Sequence, residues 1–264
     1  MSRFIDIHNH VLPIDDGAKD YRDSLSMLQV AVESSISTVF VSPHIIPNGK
    51  YCPTTEFILN EVIKLKEMAK DIPIEIKFGS EFQVNADSMP FIQNKQYLCY
   101  EGTDYLLVEF SRTSLYHGLI EDALDELSSN GVKIIIAHPE RYFESVEEAV
   151  SKCKRWIKHG YYIQVNRTSL VKGSHRLERK IAYSLLLENC VHLIASDAHR
   201  VSHPRRLVLM DVFNKLKFIF GLQFTELIFH TNTNNLVLNK ELRSTKSIKS
   251  GYKLVQRLVV RLFS

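Results

Sequence analysis

The sequence predicts an α/β protein whose parallel sheet is closed, or nearly closed, into a barrel, and three observations carry that expectation. Seven short runs rich in β-branched and aromatic residues alternate with six longer stretches of helical periodicity. Strand and helix alternating in this way over about 230 residues is the pattern of a (β/α) barrel. The rival architecture, a doubly wound open sheet, lacks its usual nucleotide-binding turn, because no G-x-G-x-x-G or G-x-x-x-x-G-K-S/T follows any strand. No internal repeat or low-complexity linker divides residues 1–239, which read as one domain. With 45% hydrophobic and 24% charged residues among 264, disorder is excluded as the main state. A net charge of +3 is too small to call for a nucleic-acid partner.

The first strand, Phe4 to Asn9, alternates: Asp6, His8 and His10 share one face, and Ile5, Ile7 and Val11 the other, which suits burial under helices. A helix over Asp20 to Ser34 leads to the second strand, Thr38 to Pro43, which runs into His44. A helix over Thr55 to Asp71 precedes the third, Ile74 to Gly79, with Glu81 just beyond it. The fourth, Tyr105 to Phe110, carries Glu109, and the fifth, Lys133 to Ala137, delivers His138; a helix over Leu119 to Asn130 joins them. Helices over Ser145 to His159 and Arg176 to Asn189 flank the sixth strand, Tyr161 to Val165. The seventh, His192 to Ser196, ends in Asp197 and His199, and a last helix spans Pro204 to Phe218.

Nearly every strand therefore ends in a group able to bind a metal. Active sites of parallel barrels form at the C-terminal strand ends, so residues scattered through the chain would converge on one mouth. A single strand-end histidine or carboxylate is commonly just hydrogen-bonded. The paired His8/His10 and Asp197/His199, together with convergence from five strands, point instead to a metal centre. Asp16, in IDDG after the first strand, can reach the same mouth. Imidazoles mixed with carboxylates, without thiolates, suit zinc, manganese or iron at a site of more than one metal. The other histidines, His117, His159, His175, His192, His203 and His230, read as surface or packing residues. Cys52, Cys99, Cys153 and Cys190 form no C-x-x-C pair, and none is followed by Arg six positions on, which excludes a cysteine-nucleophile phosphatase loop. A charged N-terminus and the lack of any long apolar run fit a soluble protein of the reducing cytoplasm.

DIHNH, DDG, SPH, SE, VEF, AHPER and ASDAH, in that order from about Phe4 to about Asn235, resemble the PHP (polymerase and histidinol phosphatase) superfamily. More narrowly, the chain resembles the bacterial tyrosine-protein phosphatases of capsule and exopolysaccharide operons. The resemblance implies a distorted, seven-stranded TIM-like (β/α) barrel, the PHP fold, with three divalent metal ions at its mouth. Manganese is the first expectation, with iron or zinc as alternatives. By the same resemblance one ion takes His8, His10, Glu81 and Asp197. A second shares Glu81 and adds Glu109 and His138, and a third uses Asp16, His44 and His199, which is counted among the catalytic residues too. Such ions activate water to hydroxide and screen phosphoryl charge. Arg141 in HPER matches a family arginine that grips phosphate, although a salt bridge to Glu140 or Glu144 is the plainer alternative. The second family arginine is out of register in HRVSHPRRL, leaving Arg205, Arg206 and Arg200 as candidates in that order. A phenolate leaving group needs little help from a general acid. Ile45, Tyr51, Tyr116 and Tyr142 could bracket a phosphotyrosine ring or simply pack. The implied partner is the phosphorylated C-terminal tail of a tyrosine autokinase that controls polysaccharide synthesis. Histidinol phosphatase or another small phosphoester hydrolase is the enzyme alternative; a noncatalytic binding domain is the third reading, disfavoured because every expected ligand position is filled.

Residues 240–264 lie beyond the resemblance and carry seven basic residues and one acid, leaving −3 on residues 1–239. Lys249, Lys253, Arg257 and Arg261 recur beside Ile248, Tyr252, Val255, Val259 and Leu262, the pattern of a basic amphipathic helix. That extension either touches an anionic membrane or a partner, or packs on its own barrel.

Overall fold

The computed structural model describes residues 3–111, 119–171, 173–202 and 204–247. Tyr116, His117, His203 and the amphipathic pattern from Ile248 onward lie outside the described residues.

Among the described residues, nine parallel strands form two sheets. The smaller contains β1 (Phe4–Asn9), β2 (Ile36–Val41) and β4 (Glu75–Phe78), in that order. The larger runs β3 (His44–Ile45), β5 (Glu81–Val84), β6 (Tyr105–Phe110), β7 (Lys133–Ala137), β8 (Tyr162–Asn166) and β9 (Leu193–Ala195). β2 passes into β3 across Ser42 and Pro43, and β4 into β5 across Gly79 and Ser80, so nine strands occupy seven positions around the ring. The ring closes between β9 and β1: Asp197 N donates to His8 O at 2.8 Å, and His10 N donates to Ala198 O at 2.8 Å.

The expected second and third strands are thus each broken, which is the distortion of the barrel. Pro43 has no N–H to extend the β2 ladder. At Gly79 a Cβ would lie 2.5 Å from the Tyr100 ring, so only glycine passes beneath it. Strand β2 also begins earlier than expected, at Ile36.

Helices α1 (Tyr21–Glu33), α2 (Thr55–Met68), α4 (Leu119–Ser129), α5 (Val146–Lys158) and α7 (Arg176–Leu187) cover the strands, as the periodicity predicts. Asp20, Thr54 and Ser145 cap α1, α2 and α5 by accepting from Asp23 N, Phe57 N and Glu148 N. Short α3 (Ser88–Gln93) and α6 (Arg167–Leu170) were not expected. The last predicted helix begins only at Met210, as α8 (Met210–Phe220), because the carbonyls upstream are taken: Arg167 donates to Pro204 O, and His199 N and Arg200 N to Arg205 O. Beyond it lie α9 (Leu222–Glu226), a π-helical turn (Leu227–Thr231), α10 (Asn232–Val237) and a 3₁₀ turn (Thr245–Ser247).

Strand side chains alternate between two cores. Leu106, Val108, Ile134, Ile136, Ile163 and Ile194 face the helices, while Leu107, Ile135, Ala137, Leu193 and Ala195 fill the barrel. Ile7 joins the inner cluster, with Ile5 against it, rather than lying under helices with Val11, since a register shift between Asp6 and Asn9 interrupts the alternation of β1. Leu236 and Leu242 close the barrel floor. The segment after Asn239 lies against that floor, with Tyr105 Oη donating to Lys240 O at 2.7 Å and Asn232 Nδ2 to Arg243 O at 2.9 Å. Among the described residues the four cysteines are free, and no helix is long and apolar enough to cross a membrane.

Candidate active site

The C-terminal strand ends carry their polar groups to one mouth. His8 on β1 and His10 just beyond it are buried, as are Glu81 at the start of β5, His138 after β7, and Asp197 and His199 after β9. Glu109 on β6 is nearly so; the side chains of His44 on β3 and Asp16 are 14% and 43% exposed, which makes theirs the open side. His138 and Asp197 both have positive φ, at 31° and 49°, a costly backbone for non-glycine residues that turns each side chain off its strand.

All nine strand-end and loop residues singled out from the sequence come together here. His8 Nε2 lies 3.2 Å from Glu81 Oε2, 3.3 Å from His10 Nε2 and 3.5 Å from Asp197 Oδ1. His10 Nε2 stands 3.3 Å from Glu81 Oε2 and 3.5 Å from Asp197 Oδ1. His138 Nε2 is 2.7 Å from Glu81 Oε1 and 3.9 Å from Glu109 Oε2. His44 Nδ1 is 3.2 Å from Glu81 Oε2 and 3.1 Å from Glu109 Oε1. Asp16 Oδ1 sits 3.2 Å from His199 Nε2 and 3.5 Å from His44 Nε2.

Three features of this cluster fit cations. Four donors held about 2.0–2.1 Å from one centre in a tetrahedral set stand about 3.3 Å from one another, the spacing seen around His8, His10, Glu81 and Asp197. His44 Nδ1 and Asp16 Oδ1 are buried without a hydrogen-bond partner although charged atoms lie near, so those atoms are close without being aimed at each other. The carboxylates, finally, call for positive charge. Burial opposes protonation of His10 and His44, yet Asp15 outweighs it at His10, and Glu81 raises His44 to about 10. Burial would likewise raise Glu81 and Asp197, but His8 and His44 hold the first, and Arg141 and His8 the second, well below the ordinary range. His199 differs: burial, then the neighbouring His10, lowers it to about 4.

A second layer orients these side chains, and spacing alone did not disclose it. Asp15, not only Asp16, matters in IDDG: its Oδ2 is 2.7 Å from His10 Nδ1, and it accepts from His44 N and Gly17 N. Gln164 Oε1 is 3.0 Å from His8 Nδ1, and Asn166 Nδ2 donates to Asp197 Oδ2 at 2.7 Å. Asp6, fully buried, accepts from Ser196 N, Ser196 Oγ and Asn9 Nδ2. Side chains that hydrogen-bond metal-competent histidines fix their tautomer and direction. Gln164 and Asn166 share a face of β8.

The arginine candidates separate. Arg141 Nη1 is 2.8 Å from Asp197 Oδ2, so Asp197 is one partner of this guanidinium, and Glu140 also acts on its charge. Arg205 Nη2 is 3.0 Å from both Asp197 oxygens and 2.9 Å from His199 Nε2. Arg200 donates to the carbonyls of Asp16, Gly17 and His199, which commits it to the loop backbone. The charge of Arg206 acts on Asp211. Of the aromatic and apolar candidates, Ile45 and Tyr142 are core residues, and Tyr142 Oη accepts from Phe110 N. Tyr51 does flank the mouth, its ring stacked on His44 at 6.1 Å between centroids.

Comparison with known sequences places the molecule. Residues 4–238 match the sequence model of the family described as capsular polysaccharide synthesis, CpsB/CapC. The chain belongs to the CpsB/CapC family. YwqE of Bacillus subtilis strain 168, a tyrosine-protein phosphatase, is 31% identical over 200 residues, 75% of this chain and 78% of that protein. The tyrosine-protein phosphatase CpsB of Streptococcus agalactiae serotype III is 27% identical over 242 residues, 89% of this chain and 98% of its own. The fold agrees with this membership. A solved chain from the crystal structures of Bacillus subtilis YwqE and Streptococcus pneumoniae CpsB, described as unique metal-dependent tyrosine phosphatases, superposes with a TM-score of 0.80. It is 28% identical and covers 91% of this CpsB/CapC chain and 97% of the solved one. The lactonase Lmo2620 of Listeria monocytogenes, 12% identical with a TM-score of 0.54 over 89% of this chain and 94% of its own, shares the fold alone.

Proposed function

We infer that this chain is a metal-dependent protein-tyrosine phosphatase acting on phosphotyrosine, as its relatives' names indicate for them. The observation that carries this is the set of nine imidazoles and carboxylates around one mouth, with two guanidinium groups at its edge. His8, His10, Glu81 and Asp197 would hold one divalent ion, Glu81, Glu109 and His138 a second, and Asp16, His44 and His199 a third. Manganese is the first choice, with iron and zinc compatible with the same donors. Bound there, such ions supply Lewis acidity toward water and toward the phosphoryl oxygens. Arg141 and Arg205 present guanidinium forks that match phosphate oxygens and can stabilise charge as the P–O bond breaks. Each carries five N–H donors, so engaging Asp197 does not exhaust either fork. A phenolate leaving group needs little help from a strong acid beside it. The substrate is proposed to be the phosphorylated tail of a tyrosine autokinase in capsule synthesis, met in the cytoplasm; the basic run after Lys240 is suited to peripheral contact with an anionic membrane.

The test supplies the purified chain with Mn²⁺ and offers it a phosphotyrosine peptide, a phosphoserine peptide and histidinol phosphate, each with a chelator control. Chelator-sensitive turnover of the phosphotyrosine peptide alone, or far above the others, is expected. Turnover of histidinol phosphate alone would replace this reading with the small-molecule one.

A further inference from the structure

Arg167 opens α6 directly after β8 and is only 1% exposed, an unusual place for a guanidinium unless its partners are fixed. Its partners sit at the two ends of one segment. Nε donates to Asp211 Oδ1 at 2.9 Å and Nη2 to Asp211 Oδ2, while Nη1 donates to Pro204 O at 2.8 Å. Asp211 lies in the first turn of α8, where its Oδ1 also accepts from Val212 N at 2.8 Å. From Pro204 to Leu209 the chain forms no helix or strand, and this stretch carries Arg205. The Arg205 carbonyl accepts from His199 N at 2.9 Å and Arg200 N at 3.0 Å, so the residue is held by its backbone while its side chain reaches Asp197 and His199.

We propose that Arg167 and Asp211 are positioning residues for Arg205, clamping both ends of the 204–211 segment so that one guanidinium stays fixed at the phosphate-binding edge. The inference rests on the phosphatase reading for what Arg205 binds. Without the clamp, a long side chain on an irregular segment would have to be ordered anew each time phosphate arrives, at an entropic cost that weakens binding.

The experiment uses the full chain loaded with Mn²⁺ and compares the parent, Asp211→Asn, Arg205→Ala and the double variant. Asp211 is 38% exposed and asparagine keeps its shape, so the substitution is placed there rather than on the buried Arg167. Three quantities are read: tryptic cleavage after Arg205 and Arg206, mapped by mass; affinity for inorganic phosphate by calorimetry; and kcat/KM on a phosphotyrosine peptide. Asp211→Asn should raise cleavage several-fold and weaken phosphate binding about tenfold, and should add no further loss once Arg205→Ala is present. Asp211→Glu, which keeps the charge, should recover part of the loss. Unchanged cleavage, or phosphate losses that add in the double variant, overturns the proposal. If the losses do not add but no phosphotyrosine peptide is hydrolysed, the clamp stands and the phosphatase reading falls. If the peptide is hydrolysed and the losses add, the reverse holds.

Discussion

His192, one of the histidines with no part in the mouth, shows what burial alone does to a titratable side chain. Its Nδ1 accepts from Ile163 N at 3.1 Å, its amide donates to Ile163 O at 2.9 Å, and burial lowers its pKa from 6.5 to about 4. The folded state therefore binds this proton less readily than the unfolded chain. Stability from His192 is complete above pH 6.5 and drains away as pH falls from 6.5 toward 4, by about 3 kcal/mol at the limit. Urea unfolding between pH 7.5 and 4.5 should show a shallower decline for His192→Asn, which keeps an acceptor and cannot charge; equal slopes would reject the account. Asp15 is the opposite case, a buried acid whose role is to aim His10. Asp15→Asn should lower Mn²⁺ affinity about 10–100-fold at little cost to thermal stability, measured by metal titration. The sequence singled out Asp16 rather than Asp15 because adjacent carboxylates in one loop have no spacing to tell them apart.

At the scale of elements, the two broken strands set the mouth. Had β2 continued straight through Ser42 and Pro43, His44 would have stayed in the smaller sheet; the break lets β3 pair with β5, His44 opposite Glu81. Gly79 makes the second break possible. Tyr100, whose ring a Cβ there would strike, cannot easily retreat, because its Oη donates to Ile7 O at 2.7 Å within the barrel. Gly79→Ala should cost roughly 1–3 kcal/mol, seen as a lowered Tm, and Tyr100→Leu in the same chain should recover part of it. The strands were legible because buried parallel strands read as apolar runs; their breaks were not, since two residues barely interrupt such a run. The late start of α8 escaped notice for a different reason. Pro204 to Leu209 have helix-compatible composition, and only the distant Arg167 and the His199 amide reveal that their carbonyls are already engaged.

For the whole molecule, the strand order by itself puts the chemistry at one end, because parallel strands bring their C-termini to a common rim. What the sequence left unread was the other end. Leu242, 7% exposed, closes the floor with Leu236, so residues just past Asn239 complete the barrel even though they fall beyond the family match. A chain ending at residue 239 should be less stable than one ending at 247 by at least about 2 kcal/mol, the scale of losing one buried leucine, as read from urea midpoints. Equal midpoints would show the floor to be dispensable. Membrane binding through the basic extension is accordingly tested with the chain ending at 247, which spares that floor, against anionic vesicles. The closure of the ring has a consequence for how the protein is made. Ser196 donates to Asp6 across 190 residues of chain, and His8 and His10 wait on Asp197 and His199 from the same distant segment. Contacts of such long range form late, after the loop-closure cost has been met. A chain still emerging from the ribosome, with β9 not yet synthesised, has its first histidines but no partner for them. The site therefore comes into being only once β9 and the residues just after it have been made, and no product that stops short of them carries it.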